Sequence, residues 1–408
     1  MKRSHTDLVR ENPVGMPDTA PLRYVEFFAG VGGWTMALQE AIQIVYPSDP
    51  PELFCSAALD HSDLCIEVFE HNHSLVIQKA VRIEKLTMNQ IFEYRADIWM
   101  MSPPCQPHTR QHSNQDQELE DPRSRSFLHL CDLLLELPSE NLPKLIFLEN
   151  VVGFESSQSC RKWNTILQSR QYIIKHFHLN PTQVGVPNDR PRYFCLAVRS
   201  TEIHDSNDND LQFHVHAKTK MADSDLRPIT PDTNLPNLNI KGLRDSTVKV
   251  SSVAEFLDKD LTEHQKTSLR IPQSILQRNA AWCFDIVTPE SLRSACFTSS
   301  YGKFVKGTGS VLYTGPYRDR IRLTNPEDRK FDDAWDQGLD LPKHLRYFSG
   351  SELARIFGFP STFSFPETIT RKQQWKLIGN SLNVRVAAKL VELGLRITKR
   401  NKIGAIYG

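Results

Sequence analysis

Apolar positions along the first half of the chain alternate between short runs and helical stripes. Arg23–Phe28 is a β-type run that feeds directly into Ala29-Gly30-Val31-Gly32-Gly33. Trp34, Ala37, Leu38, Ala41, Ile42 and Val45 follow at helical spacing. Strand, glycine turn and helix form the opening unit of a doubly wound sheet. Leu53–Leu59 reads as the next strand, with Asp60 at its end and a helical segment from Asp63 to Glu70. A third unit runs from Ile77 to Leu86, continues through a helix-like Thr87–Tyr94, and returns in the apolar run Ala96–Met101, which reads as a buried parallel strand. Phe127–Leu137 has helical periodicity, Pro143–Val151 is another apolar strand, and Tyr172–Leu179 and Phe194–Val198 complete the set. The pattern predicts an α/β fold with a mostly parallel sheet.

That order is lost from Ser200 to Ser252, where Asp, Asn, Ser, Pro and Thr dominate. Such composition predicts a linker or a long insertion. Periodicity resumes at Val253–Leu257, predicts a helix over Pro272–Phe284 and another over Ser351–Phe357, and ends in an amphipathic helix from Val384 to Ile397. The expected division is a polar, disordered tail over 1–20, a main domain over 21–200 joined by 370–408, a polar insertion over 201–252, and a smaller unit over 253–369. The tail, with Pro13 and Pro17, lacks the apolar segment of a secretory signal. No run of eighteen apolar residues occurs, so no membrane span and no membrane partner are expected.

Composition narrows the setting. Eight cysteines without a CxxC pair fit neither a disulfide scaffold nor a structural zinc site, so no metal and a reducing compartment, cytosol or nucleus, are expected. Basic and acidic residues nearly balance, 49 against 48, whereas a protein that coats duplex nucleic acid shows a clear basic excess. A local basic groove remains compatible with that balance. Tyr301–Leu312, with its glycines, aromatics and lysines, followed by Arg318, Arg320 and Arg322, reads equally as a backbone-tracking surface or as ordinary solvated charge.

Candidate chemistry concentrates at the ends of the predicted strands. After Ala96–Met101 come Ser102-Pro103-Pro104-Cys105-Gln106-Pro107. Prolines cannot extend a sheet, so the strand stops there and Cys105 is presented at its carboxyl end, where open α/β sheets place ligands. The other cysteines (Cys55, Cys65, Cys131, Cys160, Cys195, Cys283, Cys296) read as small core hydrophobes. Glu149 ends an apolar strand, and a buried carboxylate is costly unless used or paired. Arg190 and Arg192 stand two apart in an extended segment beside a Gly/Pro turn, so both point the same way. Gly30-x-Gly32-Gly33 lacks the lysine of a phosphate-clamping loop. Asp60 is placed to accept ribose hydroxyls, or else to cap the helix after it.

Phe28-Ala29-Gly30-Val31-Gly32-Gly33, Pro104-Cys105-Gln106, Glu149-Asn150-Val151, Arg190-Pro191-Arg192 and Gly379-Asn380-Ser381, in that order, resemble the motifs of the cytosine-5 methyltransferase family. Ser102-Pro103-Pro104-Cys105-Gln106-Pro107, Cys296-Phe297-Thr298 and Leu377–Val384 are similar to the branch that resembles DNA methyltransferases yet methylates transfer RNA. The resemblance implies a Rossmann-like methyltransferase domain with a smaller target-recognition domain. It implies methylation of an anticodon-loop cytosine, of the aspartate tRNA type, by a monomer. S-adenosyl-L-methionine would be the donor and S-adenosyl-L-homocysteine the product. Cys105 would be the nucleophile, Glu149 the acid at ring N3, Arg192 the partner of the base carbonyl and Arg190 its support. Phe28, Val31, Gly32 and Gly33 would surround the donor, Asp60 its ribose, Ile83 and Glu84 its adenine, with Ser102, Asn380 and Ser381 as further contacts. Two features depart from the family: His108 stands where the branch carries Phe, and 201–246 matches no motif. A DNA cytosine-5 methyltransferase shares every catalytic motif, and a non-catalytic nucleic-acid-binding relic is the reading from another class.

Overall fold

The computed structural model describes residues 21–73, 78–104, 121, 124–202, 248–316, 318 and 340–404. Cys105, Gln106, His108, the tail 1–20, Arg320, Arg322 and most of the polar insertion lie outside the described residues. The predicted units are present: β1 (Leu22–Phe27), α1 (Gly33–Val45), β2 (Leu53–Asp60), α2 (Asp63–Asn72), β3 (Gln78–Ala80), α3 (Met88–Tyr94), β4 (Ile98–Met101), α4 (Arg125–Glu136), β5 (Leu145–Val151), α5 (Gln158–Ser169), β6 (Tyr172–Leu179) and β7 (Arg192–Arg199). Helix α1 buries the stripe expected of it, from Trp34 to Val45. All four residues of β4 are buried, which explains their unbroken apolar run.

These strands form one seven-stranded sheet in the order β3-β2-β1-β4-β5-β7-β6. β7 runs antiparallel to both neighbours, and the other pairings are parallel. No helical crossover separates β6 from β7; a short connection through the 3-10 turn Pro181–Val184 suffices because an antiparallel neighbour needs no crossover. The strand order reverses between β1 and β4, and the crevice beyond their carboxyl ends is where such sheets bind ligands. Pro103 and Pro104 stand in that crevice, just past Met101.

The rest of the chain supplies α6 (Glu263–Leu269), α7 (Gln273–Leu276), β8 (Asp285–Val287), β9 (Ser310–Tyr313), α8 (Leu341–His344), β10 (Leu345–Arg346), α9 (Gly350–Ile356), α10 (Arg371–Asn380) and α11 (Val384–Gly404). A second sheet of three strands has the order β10-β9-β8. The helix expected over Pro272–Phe284 is instead α7 and a separate 3-10 turn, Asn279–Cys283. Arg278 between them is extended (φ −79°, ψ 144°), which breaks the helical ladder the apolar spacing suggested.

Apolar side chains fill both faces of the large sheet. Phe127, Leu130, Leu134, Trp163 and Leu167 cover one face from α4 and α5. On the other, α1 and α11 pack together over Phe147 and Leu196. That second core continues without a break into Val311, Leu312, Tyr313 and Leu345 of the small sheet. Burial of this kind contributes roughly 1.5–3 kcal/mol per large apolar side chain, so the two sheets are held by shared packing.

Candidate active site

Helix α1 begins at Gly32, which has no side chain to accept its first N–H groups. Glu26 of β1 does so from below the turn. Its Oε1 accepts from Trp34 N (3.1 Å), and its Oε2 from Thr35 N (3.0 Å) and Thr35 Oγ1 (2.6 Å). Burial raises the Glu26 carboxyl from 4.5 to about 7, against the pull of those hydrogen bonds. The folded-state value lies above the unfolded one. The stabilisation this group contributes is therefore complete below pH 4.5 and is lost as pH rises through 7, a change of about 3 kcal/mol. Urea unfolding of Glu26→Gln between pH 4.5 and 8 should show that decline removed; an unchanged slope would refute the assignment.

At the end of β2, Asp60 Oδ2 accepts from Gly30 N (2.9 Å) and Oδ1 from Ser62 N (2.9 Å). It ties the glycine turn to the neighbouring strand, and the N-cap position of α2 belongs to Ser62. The helix-capping alternative for Asp60 is thereby set aside. Phe28, in the left-handed region (φ 55°), Val31 and Gly33 face the same crevice as Asp60. Gly32 turns toward Phe69 and His73 at the end of α2. Ile83 is buried in the core under the opposite sheet face, and Glu84 accepts from Ser126 Oγ (2.7 Å). None of these three lines the crevice.

The opposite wall comes from β4, β5 and β7. Trp34 Nε1 donates to Ser102 Oγ (3.0 Å), and Asn150 Nδ2 donates to the Pro103 carbonyl (3.3 Å). These bonds hold the two prolines that precede Cys105. Glu149 is 8% exposed, and its Oε1 lies 3.5 Å from Arg192 Nε. Burial raises the Glu149 carboxyl; Arg192, Arg190 and a hydrogen bond from Ser102 pull it down, and burial prevails. That is the direction a proton donor requires.

Arg190 binds three backbone carbonyls. Its Nη1 donates to Phe297 O (2.7 Å), and its Nη2 to Gly379 O (3.1 Å) and Ser381 O (2.7 Å). Its guanidinium also stacks 4.8 Å from the Phe357 ring centroid. The supporting role expected of it becomes a clamp between the 296–298 segment and the end of α10. Gly379 permits that closeness, since a Cβ there would sit 2.3 Å from the Thr298 carbonyl carbon. Arg190→Ala removes the guanidinium from two buried carbonyls and one partly buried one and should lower the unfolding free energy by about 3 kcal/mol or more, measured by chemical denaturation. Arg190→Lys, lacking the fork, should recover little of that loss.

Cys296, expected from the sequence to be a small core residue, has its sulfur 3.3 Å from Arg190 Nη1 and 3.8 Å from Arg192 Nη2. Burial by itself would raise this thiol, but the two guanidiniums together outweigh it and the net direction is down.

One cavity of about 410 Å³ unites both walls, and its size suits a nucleoside-bearing small molecule. Phe28, Val31, Gly33, Asp60, Ser102, Glu149, Arg190, Arg192, Asn380 and Ser381 line it. Glu26, Trp34, Cys65 and Lys376 line it as well, although the sequence reading did not select them. Glu26 carried the signal that singled out Glu149, a carboxylate inside an apolar strand. Lys376 carried none. An S-adenosyl group fits this chemistry: the turn at Gly30 leaves open space around its backbone, and the Asp60 carboxylate offers acceptors beside it.

The sequence profile of the family described as C-5 cytosine-specific DNA methylase matches residues 22–393. A tRNA (cytosine(38)-C(5))-methyltransferase of Homo sapiens is 32% identical over 413 residues, covering 91% of this chain and 99% of that protein. A DNA (cytosine-5)-methyltransferase of Dictyostelium discoideum is 32% identical, covering 91% and 94%. Among solved structures, the S. pombe Dnmt2 methyltransferase superposes with a TM-score of 0.69 at 26% identity, over 92% of this chain and 99% of that one.

Proposed function

The chain belongs to the family of C-5 cytosine-specific DNA methylases, and from that premise we propose that it methylates carbon 5 of cytosine 38 in the anticodon loop of a tRNA of the aspartate type. The observation that carries the reading is a cavity that holds a buried Glu149 against Arg192 and is lined by Pro104, one residue before Cys105. Relatives named as tRNA (cytosine(38)-C(5))-methyltransferases, matched over nearly their whole length, support the choice of substrate.

S-adenosylmethionine, when bound, supplies an electrophilic methyl group. Asp60 and the turn from Phe28 to Gly33 would hold its nucleoside end, with Asn380 and Ser381 lining the same cavity and Ser381 beside Gly33. Cytosine carbon 5 is too weakly nucleophilic to take that methyl unaided. Cys105, as thiolate, adds to carbon 6 while Glu149 donates its proton to N3, and the ring becomes an enamine that attacks through carbon 5. Arg192 faces the charge that develops at the base carbonyl. Loss of the carbon 5 proton to a base and of the thiolate from carbon 6, with return of the N3 proton to Glu149, then restores the ring and the enzyme. The target base has to leave its stack to reach the cavity, which costs less in an anticodon loop than in a duplex.

Incubation with labelled donor and either tRNA or duplex DNA tests the substrate. Label is expected in tRNA, at a site that bisulfite sequencing places in the anticodon loop. Label confined to DNA would reject the proposal in favour of the DNA enzyme.

A further inference from the structure

The stretch between Thr298 and β9 is built as a rigid loop that leaves one ring outside. Thr298 N donates to Thr308 O (3.0 Å), and Thr308 Oγ1 donates to Phe304 O (2.8 Å). The Tyr301 hydroxyl donates to Ser310 O (2.7 Å) and accepts from Phe348 N (3.1 Å). Tyr301 is thereby buried. Phe304, by contrast, is 57% exposed, the most exposed large apolar side chain among the described residues.

A single exposed aromatic is ordinarily unremarked surface. Place and company distinguish this one. Lys303 Nζ lies 5.2 Å from the Phe304 ring centroid, Lys306 follows two residues on, and the sequence carries no acidic residue between Glu290 and Asp319. The base of the loop packs against residues of the cavity wall. Arg190 holds the Phe297 carbonyl, Thr298 packs on Gly379, and Gly302 lies against Trp375, whose neighbours Lys376 and Leu377 line the cavity. Aromatic face and positive charge are the features that hold unpaired nucleic acid, and the loop's hydrogen bonds mount them near the cavity.

We propose that Phe304 is a stacking platform for an unpaired base next to the target cytosine, with Lys303 and Lys306 contacting the adjoining phosphates. The inference rests on the tRNA reading above and deepens it. A base whose neighbour has been extruded loses a stacking partner, and the ring replaces that partner on any base. Such a contact favours loops over duplexes, where no base face is free.

The test compares full-length wild type with Phe304→Ala, Phe304→Leu and Phe304→Trp on an in vitro transcribed tRNA. Alanine and leucine should each raise KM for tRNA about tenfold while KM for the donor and the melting temperature stay at wild-type values. Tryptophan should recover the affinity that leucine loses, because it keeps a ring face. Lys303→Gln with Lys306→Gln should flatten the dependence of log Kd on log salt by about 0.7 for each phosphate contact removed. Unchanged KM in Phe304→Leu, or equal loss in leucine and tryptophan, would overturn the inference alone. A wild type that methylates no tRNA would overturn it together with the functional reading.

Discussion

Replacing Cys105 with alanine is expected to reduce methyl transfer to the uncatalysed background while leaving the fold intact. Carbon 5 acts as a nucleophile only while carbon 6 carries a bond to sulfur, so no neighbouring group substitutes for the thiolate. The surroundings support this severity. β4 is buried over its full length and stops at Met101, and Asn150 pins the carbonyl of Pro103 two residues before the cysteine. Pro104 fixes its own φ and Pro107 restricts Gln106, so the chain has fewer conformations to lose on either side of the cysteine. Wild type incubated with tRNA carrying 5-fluorocytosine should form a covalent complex resistant to denaturation, since the fluorine blocks the final proton loss. The alanine variant should form none. An adduct mapped by peptide mass to another cysteine would remove the assignment.

Glu149→Gln should lower kcat by about 10²–10⁴-fold, the range for a positioned proton donor, with a smaller change in KM for tRNA. Glutamine keeps the shape and can still donate a hydrogen bond, but it cannot transfer a proton to N3. The pH profile supplies a sharper check. Burial holds the Glu149 carboxyl above its ordinary value despite Arg192 3.5 Å away. The protonated form is the active one, so turnover should fall as pH rises through that raised value, and the glutamine variant should lose this falling limb. A variant as fast as wild type, or one with the same alkaline limb, would reject Glu149 as the acid.

Much of this site could be read in advance because its signals are local. A proline pair ending an apolar run, a carboxylate at the end of another, and glycines between a strand and a helix each constrain the backbone within a few residues. Ser102, Glu149, Asp60 and Arg192 accordingly lie around one cavity. Glu26 is equally legible in principle, since it interrupts β1 as Glu149 interrupts β5; what the sequence does not show is that its partners are the first N–H groups of α1 and the Thr35 hydroxyl, which only folding brings under it. The break in the helix expected at Pro272–Phe284 was not legible. An apolar spacing suits α7 followed by a 3-10 turn as well as it suits one helix, and packing selects between them.

The amino-acid order by itself determined the alternation of strands and helices, the places where strands end, and the residue types available for chemistry there, because these depend on sterics and apolar spacing over short stretches. Tertiary structure alone decided what Arg190 and Cys296 do. Arg190 meets Cys296 across 106 residues and Gly379 across 189. A guanidinium two residues from another can as readily face solvent, a substrate or three carbonyls, and only folding brings those carbonyls within reach.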